Sequence, residues 1–279
     1  MKYFYVISNL SKDYVLDVQD EVQSCLEKRG AVCRYMTDYE RMKNGRHTPG
    51  EYVPEDTQCI ITIGGDGTLI QAARDLAGRN IPMLGINRGH LGFLNQVDRT
   101  EDIDAAMDAL VNERFRLERR MMLRGTVFHE GKSVFQDIAL NEIIATSAEH
   151  LRVLRYDLAV NDEYLNEYAA DGVMVATPTG STAYNLSAGG PVMAPAGRMM
   201  AVTPVCSHTL NARSIVISEE DRVKIGLLGK GLVTFDGDTS QKTGPGDYLI
   251  VERSHMETVM VKLKQISFMQ NLSNYLGNV

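Results

Sequence analysis

Five residues, Cys59-Ile60-Ile61-Thr62-Ile63, run almost without polar interruption into Gly64-Gly65-Asp66-Gly67-Thr68. A short apolar run that stops on glycines reads as a strand buried on both faces, and such strands belong to parallel sheets covered by helices. The rest of the first hundred residues agrees. Tyr3–Ile7 reads as another buried strand, and Ser11 is a candidate N-cap for the helix after it. Val15, Val18, Val22 and Leu26 recur at helical spacing until Gly30 ends the run. Ala31–Met36 is a second strand. After the glycines the spacing predicts a helix over about Leu69–Ala77 and a strand over Pro82–Ile86. Connections of this kind cross over right-handed. The segment Tyr39–Asp56 is polar, holds Gly45, Pro49, Gly50 and Pro54, and is expected to be a mobile loop.

From about Arg116 the pattern changes. Thr126–Phe128 and Ser133–Phe135 flank His129-Glu130-Gly131-Lys132, a hairpin signal. Short strands are predicted over Tyr156–Val160, Gly172–Ala176, Ser214–Ser218, Val223–Leu227, Leu232–Phe235 and Tyr248–Glu252, with few helical periods between them. Runs of strands after alternating elements imply a separate layer architecture. The expected fold is therefore an α/β N-terminal domain with a parallel sheet (1–115), then a β-rich, β-sandwich-like domain (116–257). The tail, 258–279, regains a strand-then-helix pattern over Val259–Leu263 and Phe268–Leu276 and is expected to return to the first domain.

A chain of 279 residues buries a substantial core in either arrangement. Its 44% hydrophobic and 23% charged residues are those of a globular protein. No apolar run reaches the roughly 18 residues that span a bilayer, so no membrane role is expected. The four cysteines (Cys25, Cys33, Cys59, Cys206) form no C-x-x-C pair, which fits reduced thiols in a cytoplasm better than a zinc site or a disulfide framework. A net charge of −7 argues against nucleic acid as a partner, and the basic residues within Arg114–Arg124 are interleaved with Glu118.

Gly64-Gly65-Asp66-Gly67-Thr68 falls where a buried strand hands over to a helix, the edge at which open parallel sheets bind ligands. Glycines let a backbone approach phosphate closely, and the helix N-terminus presents N–H groups. Asp66 is the informative residue. A carboxylate among phosphate-binding amides either accepts a proton from an attacking hydroxyl or holds Mg²⁺. The local alternative is an Asp-Gly turn with Asp66 as a cap. No P-loop is present, because Thr126 stands where Gly131-Lys132-Ser133 needs its first glycine. A dinucleotide G-x-G-x-x-G fails at Leu69-Ile70.

Downstream, Asp171–Pro191 carries an apolar strand into Thr-Pro-Thr-Gly-Ser-Thr-Ala-Tyr-Asn-Leu-Ser-Ala-Gly-Gly-Pro. Small hydroxyl side chains around Gly180 suit a polar ligand with several hydroxyls, and Tyr184 offers a ring to stack on a base. An ordinary surface loop has the same composition. Asn141-Glu142 follows the apolar run Ile138–Leu140 and by itself reads as a turn that ends a strand.

Together these motifs resemble the ATP-NAD kinase family. Its first signature is similar to Gly64–Thr68, its second to Asn141-Glu142, and its third to Asp171–Pro191. Gly85–Leu94 and His208–Arg213 are also similar to family segments, and the order holds over about residues 59–250. Departures are Arg213-Ser214-Ile215, where the family usually has Arg-Pro-Leu, and Asp238, where a glutamine is common. The first motif is shared with diacylglycerol-type lipid kinases. An apolar pocket would be expected of such an enzyme, and the hydroxyl-rich stretch offers none. An NAD-binding sensor without turnover is the rival of another class, and it has no use for Asp66.

The resemblance implies transfer of the γ-phosphoryl of ATP to the 2′-hydroxyl of the adenosine ribose of NAD, making NADP, with Asp66 as general base. It places Gly64, Gly65, Gly67 and Thr68 on phosphate and ATP. It places Asp66, Gly67, Asn141, Glu142, Arg152, Ala169, Asp171, Thr182, Ala183, Tyr184, Asn185, Leu186 and Ser187 on NAD, bound across the domain junction. Mg²⁺ or another divalent metal is implied, with no ligand assigned in the protein. His208 reads equally as a site residue or a structural one. A cytoplasmic homodimer or homotetramer is the expected assembly.

Overall fold

The computed structural model describes residues 1–10, 14–37, 40, 43–87, 92–97, 102–149, 152–208, 212–263 and 268–277. It divides into two compact units, 1–119 with 257–279, and 120–256. Ser11 and the segments Arg88–Leu91 and Thr209–Asn211, singled out in the sequence, lie outside the described residues.

The first unit contains β1 (Tyr3–Ser8), α1 (Val15–Glu27), β2 (Val32–Tyr35), β3 (Cys59–Ile63), α2 (Asp66–Asp75), β4 (Met83–Ile86) and α3 (Ile103–Val111). The strands are parallel in the order β2-β1-β3-β4. The end of the long last strand, which runs over Tyr248–Lys262, joins beside β4 through Met260 and Met83. All five residues of β3 are buried, as a central parallel strand requires. Val15, Val18, Val22 and Leu26 form the buried stripe of α1 and share one core with Phe4, Val6, Ile61, Ile63, Met107 and Leu110.

Two expectations change here. Helix α2 begins at Asp66, three residues before the apolar periodicity starts at Leu69, because the extended Gly65 (φ −72°, ψ 176°) starts the helix and Gly67 continues it. The described part of Tyr39–Asp56 is anchored. Arg79 donates to the carbonyls of Gly50, Val53 and Pro54 at 2.7, 2.6 and 3.2 Å, and the Thr48 N–H donates to Asp75 Oδ2 at 2.6 Å. Neither Arg79 nor Asp75 lies in the loop, so its own composition could not show the anchoring.

The second unit is built from two antiparallel sheets. One has the order β12-β11-β10-β7-β14-β15, with β7 (Glu142–Ser147), β10 (Gly172–Ala176), β11 (Met199–Val205), β12 (Ile215–Ser218), β14 (Gly231–Phe235) and β15 (Thr239–Thr243). The other runs β16-β13-β8-β9, from β8 (Leu154–Val160), β9 (Glu163–Ala170), β13 (Val223–Leu227) and the first part of β16 (Tyr248–Lys262). The hairpin of β5 (Arg116–His129) and β6 (Lys132–Ala139) extends it from β16. Leu123, Tyr156, Ile225 and Val251 from this sheet pack with Ile143, Val173, Val202 and Phe235 from the other in one core. This is a sandwich. The hairpin turn has Glu130 and Gly131 both at positive φ (48° and 76°), the type I′ geometry that matches strand twist.

Four strands absent from the sequence reading complete these sheets. The edge strand β15 is polar on its exposed side, β9 opens with five exposed residues that mix Glu163, Asn166 and Glu167 with Tyr164 and Leu165, and β11 contains Pro204, so none carries a clear apolar signal. The fourth is β7, and Glu142 opens it where the sequence suggested that a strand ends. The tail forms α5 (Phe268–Gly277).

Candidate active site

In the first unit, β1 lies between β2 and β3, so the chain reverses its direction of winding there. Ligands of open parallel sheets bind at the carboxyl ends of the strands at such a switch point. The Gly64–Thr68 segment leaves β3 at that place. Gly64 has φ +154°, and a Cβ on it would stand 3.1 Å from Thr68 Cβ, so only glycine lets the strand turn directly into α2. A cavity of about 630 Å³ opens beside the turn, lined by Ser8, Asn9 and Leu10 from the end of β1, by Gly65, Gly67, Thr68 and Gln71 from α2, and by Arg46, His47 and Thr48.

Asp66 faces the other way. It is the first residue of α2, and it does not cap the helix, whose N-cap is Gly65. Its Oδ2 accepts the Phe93 N–H at 3.0 Å and its Oδ1 accepts Asn95 Nδ2 at 2.5 Å. Burial pushes the carboxyl above the usual carboxylate range, while the N–H donors of residues 93–95 pull it back down. One helical turn thus shows glycine backbone to the cavity and a half-buried carboxylate to the segment 92–95. Asn95 and Gly92 were not recognised as site residues. Gly92 falls within the family-like segment Gly85–Leu94, which carried no residue roles, and Asn95 comes directly after it.

In the second unit, the residues after β6 form a tight cluster. Asp236 accepts the N–H groups of Leu140, Asn141 and Glu142 at 2.7, 2.8 and 3.0 Å. Gly180 packs on this turn so closely that a Cβ there would lie 2.5 Å from the Asn141 carbonyl carbon. Asn141 Oδ1 and Glu142 Oε2 are buried without a hydrogen-bond partner. Burial, and then the charge of Asp236, push the Glu142 carboxyl up to about 8. Orphaned buried polar atoms at the mouth of a loop are what a ligand's hydroxyls would satisfy.

Hydroxyls of the 177–187 stretch bond to backbone carbonyls of the loop and of the turn beside it. Thr177 Oγ1 donates to Leu140 O at 2.6 Å, Ser181 Oγ donates to Pro178 O at 2.7 Å, and Thr182 Oγ1 donates to Thr179 O at 3.3 Å. Asn185 is buried, accepting Thr203 Oγ1 at 2.7 Å and donating to Pro191 O at 3.0 Å. Tyr184, at the start of the short helix α4 (Tyr184–Ser187), is instead 46% exposed and offers its ring outward. Ala183, Leu186 and Ser187 flank it.

The remaining sequence-predicted residues are at the opposite end of β10. Gly172 pairs with Thr146 and Ala176 with Glu142, so the five-residue strand holds Asp171 and Thr177 about 20 Å apart. At the Asp171 end, Ser147 N–H donates to Asp171 O at 3.2 Å and His208 N–H donates to Ala169 O at 2.9 Å. Arg152 is exposed, its own N–H donating to Glu149 O at 3.3 Å. The structure therefore gathers Asn141, Glu142 and 182–187 in one group and Arg152, Ala169 and Asp171 in another.

Residues 5–115 match the model of the ATP-NAD kinase N-terminal domain, and residues 140–263 match that of the ATP-NAD kinase C-terminal domain. An NAD kinase of Lachnospira eligens is 37% identical over 98% of this chain and 99% of its own length. One from Agathobacter rectalis is 37% identical over 100% and 99%. Among solved structures, a yeast NADH kinase complexed with NADH superposes with a TM-score of 0.87 at 21% identity, covering 99% of this chain and 88% of that one. An NAD kinase from Archaeoglobus fulgidus in complex with ATP gives 0.80 at 23% identity, with both chains fully covered. The chain belongs to the ATP-NAD kinase family.

Proposed function

We propose that this NAD kinase moves the γ-phosphoryl group of ATP to the 2′-hydroxyl of the adenosine ribose of NAD, with Asp66 as the general base. The observation that carries the reading is the placement of Asp66 on the first turn of α2. Its neighbours Gly65, Gly67 and Thr68 line the cavity, and its own carboxylate is held on the far side by Phe93 and Asn95. The backbone of this turn cradles phosphate at the positive end of the helix. Asp66, with its proton affinity raised by burial, takes the hydroxyl proton as the bond to phosphorus forms. General-base help of this kind typically accelerates a reaction by about 10²–10⁴-fold.

On the second unit, Asn141 and Glu142 offer their unsatisfied atoms to ribose hydroxyls, and Tyr184 stacks on a base. The Asp171, Ala169 and Arg152 group is too far from Asn141 to meet the same ribose. It is assigned to the other half of the dinucleotide.

Mg²⁺ fits this donor set as an ion carried on the triphosphate. The cavity lining provides neutral oxygens from Ser8, Asn9 and Thr68, and among the described residues no three His, Cys, Asp or Glu side chains converge. Those oxygens would hold the ion through its water ligands. When bound, it neutralises charge building on the phosphate oxygens.

A cytoplasmic homodimer or homotetramer is part of the proposal. Self-association is supported by open sheet edges, such as β9 with Tyr164 65% and Leu165 46% exposed. The cytoplasmic assignment is supported by four free cysteines. No described helix is long and apolar enough to cross a membrane.

The test is NADP formation from purified protein, NAD, ATP and Mg²⁺, read by an NADP-specific dehydrogenase. Turnover is expected in the wild type. Asp66→Asn is expected to bind NAD by calorimetry and lose at least about 10²-fold in kcat. Wild-type kcat in Asp66→Asn removes the base assignment.

A further inference from the structure

The segment after residue 92 is fastened to the end of β4. Gln96 N–H donates to the Gly85 carbonyl at 2.9 Å, and Asn87 N–H donates to the Val97 carbonyl at 2.9 Å. The Asn95 side chain is buried and lies directly over Gly85. A Cβ at residue 85 would stand 3.1 Å from Asn95 Cγ and 2.8 Å from Leu69 Cδ1 of α2. Asn95 is therefore confined between a strand and a helix, with the absent side chain of Gly85 making its space.

From that confinement Asn95 Nδ2 reaches Asp66 Oδ1 at 2.5 Å, while the Phe93 N–H holds Oδ2 at 3.0 Å. Both carboxylate oxygens are held by donors of this segment, so rotation about the Cβ–Cγ bond of Asp66 breaks charge-assisted hydrogen bonds. The amide orientation follows from the same contact. Turned over, Asn95 Oδ1 would face a carboxylate oxygen, acceptor against acceptor. In the orientation present, Oδ1 is buried without a partner, and that cost is accepted to aim the nitrogen at Asp66.

We infer that Asn95 is a positioning residue, orienting the Asp66 carboxylate toward the acceptor hydroxyl. It acts through Asp66 and does not itself meet the reacting atoms, and the inference rests on reading Asp66 as the base. Its N–H donor also favours the ionised carboxylate against the effect of burial. Gly92, Phe93, Leu94 and Asn95 bring no titratable side chain to Asp66, nor do Gly67, Thr68 and Leu69 of α2. Arg88 and His90 precede the segment in the chain and lie outside the described residues.

Asn95→Asp keeps the shape and loses the donor, and Asn95→Ala removes the group. In both, kcat is expected to fall about 10- to 100-fold, with KM for NAD and for ATP within about twofold of the wild type. The low-pH limb of the kcat profile is expected to move to higher pH, further in Asn95→Asp, where a second carboxyl faces the first. Carbon-13 NMR titration of the Asp66 carboxyl, identified by its loss in Asp66→Asn, reads the same shift without turnover. A moved midpoint in a protein that makes no NADP sinks the kinase reading and leaves the Asn95–Asp66 placement standing. An Asp66 midpoint that stays put in both variants overturns the inference, even if the melting temperature drops. A kcat that stays within twofold of the wild type overturns it as well.

Discussion

Gly92 and Asp66 fit together only because residue 92 has no side chain. A Cβ there would lie 2.5 Å from Asp66 Cγ and overlap both carboxylate oxygens. The backbone of this segment approaches the carboxylate closely enough to donate the Phe93 N–H. Gly92→Ala should push Asp66 out of its cradle. The expected result is a loss of about 10²-fold in kcat with an unchanged circular dichroism spectrum. Full activity in that variant would show that the base tolerates a shifted carboxylate.

Gly67 is the opposite case. It is exposed, and a Cβ built on it meets nothing within 4 Å. Gly67→Ala should fold normally and stiffen α2, while its methyl group stands where phosphate approaches the helix end. A rise of about tenfold in KM for ATP is expected, and initial rates at varied ATP would show it. An unchanged KM would move the phosphates away from this turn.

Glu142 links stability to pH. Its proton leaves near pH 4.5 in the unfolded chain and near 8 in the folded one. Between those values the folded state binds more protons, so stability is fully present below 4.5 and declines as pH rises to about 8. Glu142→Gln removes this decline. The melting temperatures of variant and wild type should nearly coincide at low pH and separate by about 10 °C in favour of the variant above pH 8. Parallel melting curves across that range would count against a buried protonated Glu142.

Tyr184 and Asn185 are neighbours with separate duties. Tyr184→Ala removes an exposed ring and should weaken NAD binding by about tenfold without lowering the melting temperature. Asn185→Ala strands the Thr203 hydroxyl and the Pro191 carbonyl in the interior. It should cost about 2–3 kcal/mol in stability, measured by urea unfolding. A melting temperature lowered equally by both substitutions would merge the two roles.

Much of the fold was legible because apolar spacing reports burial. β3, β10 and β13 fall where their runs predict, and the stripe of α1 is the one that packs. Polar edge strands such as β15 have no such signal, since half of each faces water and their register is set by the neighbouring strand. The glycine turn and Asp66 were legible from residue type and position. The hydroxyls of 177–187 suggested a ligand, whereas in the structure Ser181 and Thr182 bond within their own loop, Thr177 bonds to the Leu140 carbonyl, and the outward role is left to Tyr184. Composition cannot separate those uses, because a hydroxyl suits either partner.

By itself the sequence determined the layer architecture, the strand-to-helix glycine turn and the carboxylate within it, all properties of residues near one another in the chain. Only the tertiary structure decided what surrounds that carboxylate. Asn95 and Phe93 are 29 and 27 residues from Asp66, and Gly85 and Gly92 contribute by lacking a side chain. The Asp236 clamp on Leu140–Glu142 spans 94 to 96 residues. The orientation and proton affinity of a buried group depend on the donors and excluded water around it, and chain folding alone brings those together.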